Sequence, residues 1–185
     1  LIAEICKAVP HLRIRLGSLE PRIVTEEFVA ALSGFQNLCP QFHLSMQSGC
    51  DTVLARMKRK YNAEEYMESL ERLRNAFPGC AITTDMIVGF PGETEEEFEK
   101  SLSFIRQCRF ADMHIFPYSR RPGTPAAEMP GQLPNAVKEA RSRRAIAVAQ
   151  DMSRCYHQEL LGTTQAVLVG GMGGEHSVGH ALNFV

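Results

Sequence analysis

Four short segments alternate polar with apolar residues, and the polar members are of the kinds that hold and orient polar ligands. His43, Ser45 and Gln47 alternate with Phe42, Leu44 and Met46, while Thr83 and Asp85 oppose Met86 and Val88. Arg13 and Arg15 oppose Ile14 and Leu16, and His114 shares a face with Tyr118, with Phe116 between them. Imidazoles, a carboxylate, an amide and hydroxyls on one surface can donate, accept and exchange protons. Burying them dry would cost about 1–3 kcal/mol for each unpaired neutral group and more for each charge. The pattern points to a wet cavity around a polar ligand, the other reading being a sheet with one solvent-exposed face. In the first case His43, Ser45, Gln47 and Asp85 converge. Turn residues follow the polar stretches, at Gly17-Ser18-Leu19-Glu20-Pro21, Ser48-Gly49 and Gly89-Phe90-Pro91-Gly92. Ligands of α/β folds bind on such loops, at the carboxyl ends of strands.

These residues need strands to carry them and helices to back them. Strands are predicted over 12–19, 41–48, 81–90 and 112–119, with starts about 30 to 40 residues apart, the size of one β-plus-α unit. Phe28, Leu32 and Phe35 form one helical face, and Tyr66, Leu70, Leu73 and Phe77 another, opened by Asn62 and Glu65 as a capping box. Phe98, Leu102 and Ile105 follow a second capping box at Thr94 and Glu97. The acidic run 93–97 reads as carboxylates at the positive end of that helix dipole rather than as a metal or substrate site. A long helix is expected over 135–161, with Val137, Ala145, Val148, Met152, Tyr156 and Leu160 along one stripe. Beyond Gly162, 165–169 reads as a strand, Gly170 to Gly174 as a flexible turn, and 177–185 as a second strand. Two strands cannot bury a core alone, so this tail reads as an incomplete β-domain.

Alternation of this kind implies parallel strands with right-handed crossovers. Four units are too few to close a barrel of six or eight strands. The start at Leu1-Ile2-Ala3-Glu4 reads as the inside of a helix, which favours a partial, open β/α barrel with strands missing upstream over a small complete sheet.

The 185 residues, 44% hydrophobic and 22% charged, are those of an ordinary globular protein. No stretch approaches the roughly 20 apolar residues of a membrane span, and the expected location is cytoplasmic. A net charge of −1 leaves nucleic-acid binding to local clusters. Arg56, Lys58, Arg59 and Lys60 form one cluster; Lys138, Arg141, Arg143, Arg144 and Arg154 form a basic helix. Either set can neutralise phosphates or can simply be a solvated face. The six cysteines are scattered, without a C-x-x-C pair, and read as reduced, packed thiols. His176 and His180 stand four apart, but the glycines around them argue against a helical metal pair, so no metal site is expected.

The motifs Leu16-Gly-Ser-Leu-Glu-Pro21, Phe42-His-Leu-Ser-Met-Gln-Ser-Gly49, Met57-Lys-Arg-Lys-Tyr61, Asp85-Met-Ile-Val-Gly-Phe-Pro-Gly-Glu-Thr94 and Phe116-Pro-Tyr-Ser-Arg-Arg-Pro-Gly-Thr-Pro-Ala126 resemble, in order and spacing, those of the radical S-adenosylmethionine (SAM) methylthiotransferases. The first looks most like the branch that modifies threonylcarbamoyl-adenosine beside the tRNA anticodon. Gly179-His180, Asn183 and Phe184 look like the signature of that family's TRAM domain, a small RNA-binding β-barrel. The resemblance implies residues 1–134 as the back part of a radical SAM barrel, 135–161 as a connecting helix and 162–185 as a truncated TRAM-like domain. It implies S-adenosylmethionine and iron–sulfur clusters as cofactors, and tRNA and an electron donor as partners. Glu20, Ser45, Gln47, Asp85, Phe116 and Tyr118 would contact the cofactor; Arg56, Lys58, Arg59, Lys60, Arg141 and Arg144 would meet RNA. The family's C-x-x-x-C-x-x-C cluster loop does not occur here, so this chain alone is expected to be inactive and activity to belong to an intact parent. Another radical SAM enzyme, or a non-catalytic RNA-binding module, is the alternative.

Overall fold

Two capping boxes set where the main helices start. In the computed structural model, which describes residues 1–173 and 176–183, the Asn62 side chain accepts from the Glu65 N–H while the Glu65 carboxylate accepts from the Asn62 N–H. Thr94 and Glu97 repeat the pattern. Each cap satisfies backbone donors that a helix start leaves open, worth about 1 kcal/mol. Thr25 caps a third start through the Phe28 N–H. The helices are α1 (Ile2–Ala8), α2 (Glu26–Leu32), α3 (Asp51–Arg56), α4 (Ala63–Ala76), α5 (Glu95–Cys108), α6 (Pro125–Glu128) and α7 (Asn135–Glu159).

Between them run β1 (Ser18–Leu19), β2 (Gln41–Leu44), β3 (Ala81–Val88) and β4 (Asp112–Pro117), parallel and in sequence order. Phe42, Leu44, Met46, Ile82, Met86 and Val88 are buried with Tyr66, Leu70, Leu73, Phe98 and Ile105 from α4 and α5. Each such apolar side chain contributes about 1.5–3 kcal/mol. The opposite face carries the polar residues. The result is an open, partial β/α barrel, as the alternation implied.

The first strand is shorter than predicted. Residues 12–17 make only a bridge between Ile14 and Leu38, and ladder pairing starts at Ser18. Pro40, which lacks an N–H, interrupts the neighbouring chain between the bridge and β2. The α2 helix also stops early: it ends at Leu32, two residues before Gly34, and Phe35 packs on the core from the turn beyond.

Helix α7 lies along β4 and α5 and inserts Ala145, Val148 and Ala149 into the core. Its first turns are fastened to the loop after β3. Arg141, 5% exposed, donates to the Glu93 carbonyl at 2.9 Å and to its carboxylate at 2.7 Å. Burial pushes the Glu93 carboxyl up, against the pull of the Gly89 N–H and Arg141. Lys138 donates to the Tyr118 carbonyl at 3.0 Å and crosses over Gly89. At φ +72°, with Lys138 where a Cβ would stand, Gly89 has no room for a side chain.

The tail forms an antiparallel hairpin, β5 (Val167–Gly173) and β6 (His176–Ala181), with a register shift between Val169 and Gly171. Gly170 to Gly173 therefore lie in the strand, not in the predicted turn; the register shift absorbs the irregular backbone. Gly174, Phe184 and Val185 of the expected tail lie outside the described residues. Arg13 ties the hairpin down, donating to the carbonyls of His180 and Ala166 at 3.2 Å each. Among the described residues no helix is long and apolar enough to cross a membrane.

Removing Arg141 alone should be costly, because it leaves Glu93 buried and uncompensated. Arg141→Met is expected to lower stability by about 3–5 kcal/mol in urea unfolding. The double variant with Glu93→Gln should recover a large part of that loss. Equal losses in the two variants would mean that the buried charge is not the cause.

Candidate active site

The polar face is a connected network. In register, Ser18, His43, Thr83 and Asp112 form one row across the sheet, and Asp85 stands beside His114 one step further on. Arg15 Nε donates to Gln41 Oε1 at 2.5 Å, and Gln41 Nε2 donates to Thr83 Oγ1 at 3.2 Å. The Thr83 hydroxyl lies 3.1 Å from His43 Nδ1, and His43 Nε2 lies 3.3 Å from Asp85 Oδ2. A neutral imidazole with its proton on Nε2 satisfies every contact: it donates to Asp85 and accepts from Thr83. These residues line a half-open cavity of about 850 Å³, together with His114, Tyr156 and Asn183. Asn183 donates to the Tyr156 hydroxyl at 3.0 Å, and its buried carbonyl oxygen has no partner among the described residues.

Above this network the carboxyl end of the second strand carries an irregularity. His43 pairs with Thr83, but Gln47 pairs with Met86, so four steps on one strand match three on the other. The extra residue is a bulge, rare between parallel strands and recurrent beside active sites, where it re-aims side chains. Gln47 sits in it at φ +71°, a conformation that costs a non-glycine residue about 1–3 kcal/mol.

His43 and Asp85 do meet in the cavity, although of the two only Asp85 is expected to touch the cofactor. Ser45 and Gln47 follow His43 on the same face, half-buried, nearer the strand end and outside the cavity lining. Phe116 projects from the polar face, 51% exposed, with its ring 6.4 Å from that of His114. Glu20 lies off the network, paired with Arg22 at 2.8 Å. Tyr118 does not share the cavity with His114. Its backbone extends the ladder to Val88, and its ring turns onto Phe90 at 5.4 Å, in a cluster with Cys50 and Val53. Gln41 joins the network without having been singled out by the sequence reading, although period-two spacing back from His43 places it on the same face. Thr84, on the apolar face, carries no sequence signal for its part in the strand end.

The basic residues divide. Lys58, Arg59 and Lys60 are exposed. Arg56 instead grips both oxygens of Glu97, at 2.9 and 2.5 Å. Arg141 is buried on Glu93, and Arg144 pairs with Glu95 and Glu99 while lying 4.9 Å above the Phe98 ring. The acidic run is thus more than a dipole cap: it anchors α3 and α7 through these three arginines, of which Arg141 is buried and Arg144 exposed.

The family model for the radical SAM superfamily matches residues 1–105. The chain belongs to the radical SAM superfamily. It is 45% identical over 172 residues to a tRNA-2-methylthio-N(6)-dimethylallyladenosine synthase of Saccharopolyspora erythraea, covering 92% of this chain and 35% of that protein. A Nocardia farcinica protein of the same name is 46% identical over 157 residues, covering 85% and 31%. The chain therefore spans about a third of the length of the curated relatives it matches. Escherichia coli coproporphyrinogen III oxidase (HemN), a radical SAM enzyme, shares the fold with a TM-score of 0.65 at 18% identity, over 82% of this chain and 36% of that one. The relatives' names specify dimethylallyladenosine, whereas residues 16–21 resemble the threonylcarbamoyl branch.

An iron–sulfur cluster does not fit the residues of this chain. Cys6, Cys39, Cys50, Cys80 and Cys108 are buried and free, Cys155 is exposed and free, and among the described residues no three metal-binding side chains group together. The solvent-open strand face offers donors and acceptors suited to a polar organic ligand.

Arg56, Thr52 and the Thr94 N–H together hold the Glu97 carboxyl down at about 2, from an ordinary 4.5. A depressed carboxyl contributes stability that is fully present above its unfolded value and lost as pH falls through its folded one. Arg56→Met should therefore be less stable than wild type at pH 7, and the gap should close between about pH 4.5 and pH 2. Urea midpoints measured across that range would show it; a constant gap would mean that Arg56 acts through packing alone.

Proposed function

We propose that this chain is part of a radical SAM methylthiotransferase that adds a methylthio group to a hypermodified adenosine in tRNA. The observation that carries the reading is 44–46% identity, over most of the chain, to proteins named as tRNA methylthio-adenosine synthases. The solvent-open polar strand face is consistent with it. Ser45, Gln47 and Asp85 would hold S-adenosylmethionine, with Phe116 of β4, Glu20 and the backbone of Tyr118 as further contacts. When bound, the cofactor supplies the radical and the methyl group; these residues would bind and orient it. Lys58, Arg59 and Lys60 would meet tRNA phosphates, and the β5–β6 hairpin would open a TRAM-like RNA-binding barrel. An electron donor would serve the cluster, whose ligands lie elsewhere in such an enzyme.

Two substrate adenosines have support. Leu16-Gly-Ser-Leu-Glu-Pro21 favours the threonylcarbamoyl form, and the relatives' names favour the dimethylallyl form. The intact, cluster-reconstituted enzyme should be given tRNA carrying each modification, and the nucleosides analysed by mass spectrometry. Methylthio product from one of them fixes the branch; none from either, with S-adenosylmethionine still cleaved, points to a different radical SAM reaction.

Charge reversal at Lys58, Arg59 and Lys60 should weaken tRNA binding and reduce its salt slope by about 0.7–0.9 for each phosphate no longer neutralised. Filter binding at several salt concentrations measures both quantities. An unchanged slope would remove this turn from the RNA surface.

A further inference from the structure

The bulge at the end of the second strand must satisfy backbone groups that no neighbouring strand can reach. The Ser45 N–H donates to the Leu19 carbonyl, and the Gln47 N–H to that of Asp85. The Met46 N–H donates instead to the Thr84 hydroxyl at 3.0 Å, which itself donates to the Leu44 carbonyl at 2.6 Å. That leaves the carbonyls of Ser45 and Met46. One phenol proton is shared between them: Tyr61 Oη lies 3.0 Å from the first and 2.8 Å from the second.

Tyr61 is held from either side. Before it, Lys58 turns at φ +56° and the Arg59 N–H returns to the Leu54 carbonyl. After it comes the Asn62 capping box. The ring is 5% exposed, and burial pushes the hydroxyl up to about 12, so it stays a donor throughout the neutral range.

We propose that Tyr61 is a positioning residue for the cofactor: its hydroxyl holds the Ser45–Gln47 bulge in the shape that presents those two side chains to S-adenosylmethionine. It touches neither the cavity nor the cofactor, and acts only through the two carbonyls. The proposal rests on the reading that this strand end holds the cofactor.

Tyr61→Phe removes one oxygen and keeps the ring. Asn37→Ala is the control, because its amide likewise donates to two backbone carbonyls, those of Cys6 and Val9 at 3.0 and 3.1 Å, in the turn before β2 and off the bulge. In the intact enzyme, Tyr61→Phe should raise the dissociation constant and the KM for S-adenosylmethionine about fivefold, within the range expected for removing one hydrogen bond. Its kcat at saturating cofactor should stay within about twofold of wild type. Asn37→Ala should lower the unfolding midpoint while leaving cofactor affinity unchanged. Calorimetric titration with S-adenosylmethionine and thermal unfolding supply readouts independent of turnover. Wild-type affinity in Tyr61→Phe, or an equal loss in Asn37→Ala, would overturn the proposal. If the wild-type enzyme binds no S-adenosylmethionine, the underlying functional reading falls, and the proposal with it.

Discussion

A sheet whose two faces differ in polarity can be covered by helices on only one of them. Phe42, Leu44, Met46, Met86 and Val88 drive that face against α4 and α5, and the hydrophobic term there outweighs any single polar contact in the molecule. The other face holds a histidine, an aspartate, a threonine and a glutamine in one hydrogen-bonded chain. Packing a helix onto that face would strip water from groups that need it. The open cavity therefore follows from the core: the alternation that buries one set of side chains turns the other toward solvent and ligand.

Charge is distributed by the same logic of burial. The acidic residues that start α5 stand where the helix dipole favours them, yet they also draw in Arg56, Arg141 and Arg144. A carboxylate as deeply buried as Glu93 persists as an ion only with a partner, and Arg141 supplies it. Arg56 ties α3, beyond β2, to α5, while Arg141 and Arg144 tie α7 to the loop beyond β3 and to α5, so the strand-end segments are held from outside the sheet. Arg141, 5% exposed, has almost no surface to offer an RNA phosphate, whereas Arg56 and Arg144 keep part of theirs. Lys58, Arg59 and Lys60 stay exposed on their turn and keep their charge in solvent.

Local rules made much of this legible from residue order. Period-two alternation assigned the faces of β2 and β3, and capping boxes at Asn62 and Thr94 placed two helix starts. What failed required knowledge of a partner. Arg141 reads as one of several basic residues on a long helix, and nothing near it in sequence reveals Glu93, which is 48 positions away. Tyr118 stands at the right spacing to join His114, but its ring finds Phe90, in a loop that follows another strand. Gly170 to Gly173 have turn composition, yet β6 supplies a ladder partner that holds them extended.

The Gln47 bulge was illegible for a different reason. Alternation alone predicts an unbroken register from His43 onward, with Gln47 opposite Ile87, whereas Gln47 pairs with Met86. A slip of one residue ordinarily sends every later side chain to the wrong face. Here the left-handed backbone at Gln47 takes up the extra residue, and hydroxyls from Thr84 and Tyr61 replace the ladder partners it displaces. A buried threonine on an apolar strand face and a tyrosine between a basic turn and a helix cap look unremarkable singly. Together they account for the backbone groups that a regular strand would have satisfied by itself. The strain at Gln47 is thus maintained by specific side chains at the carboxyl end of a strand, where α/β folds bind their ligands.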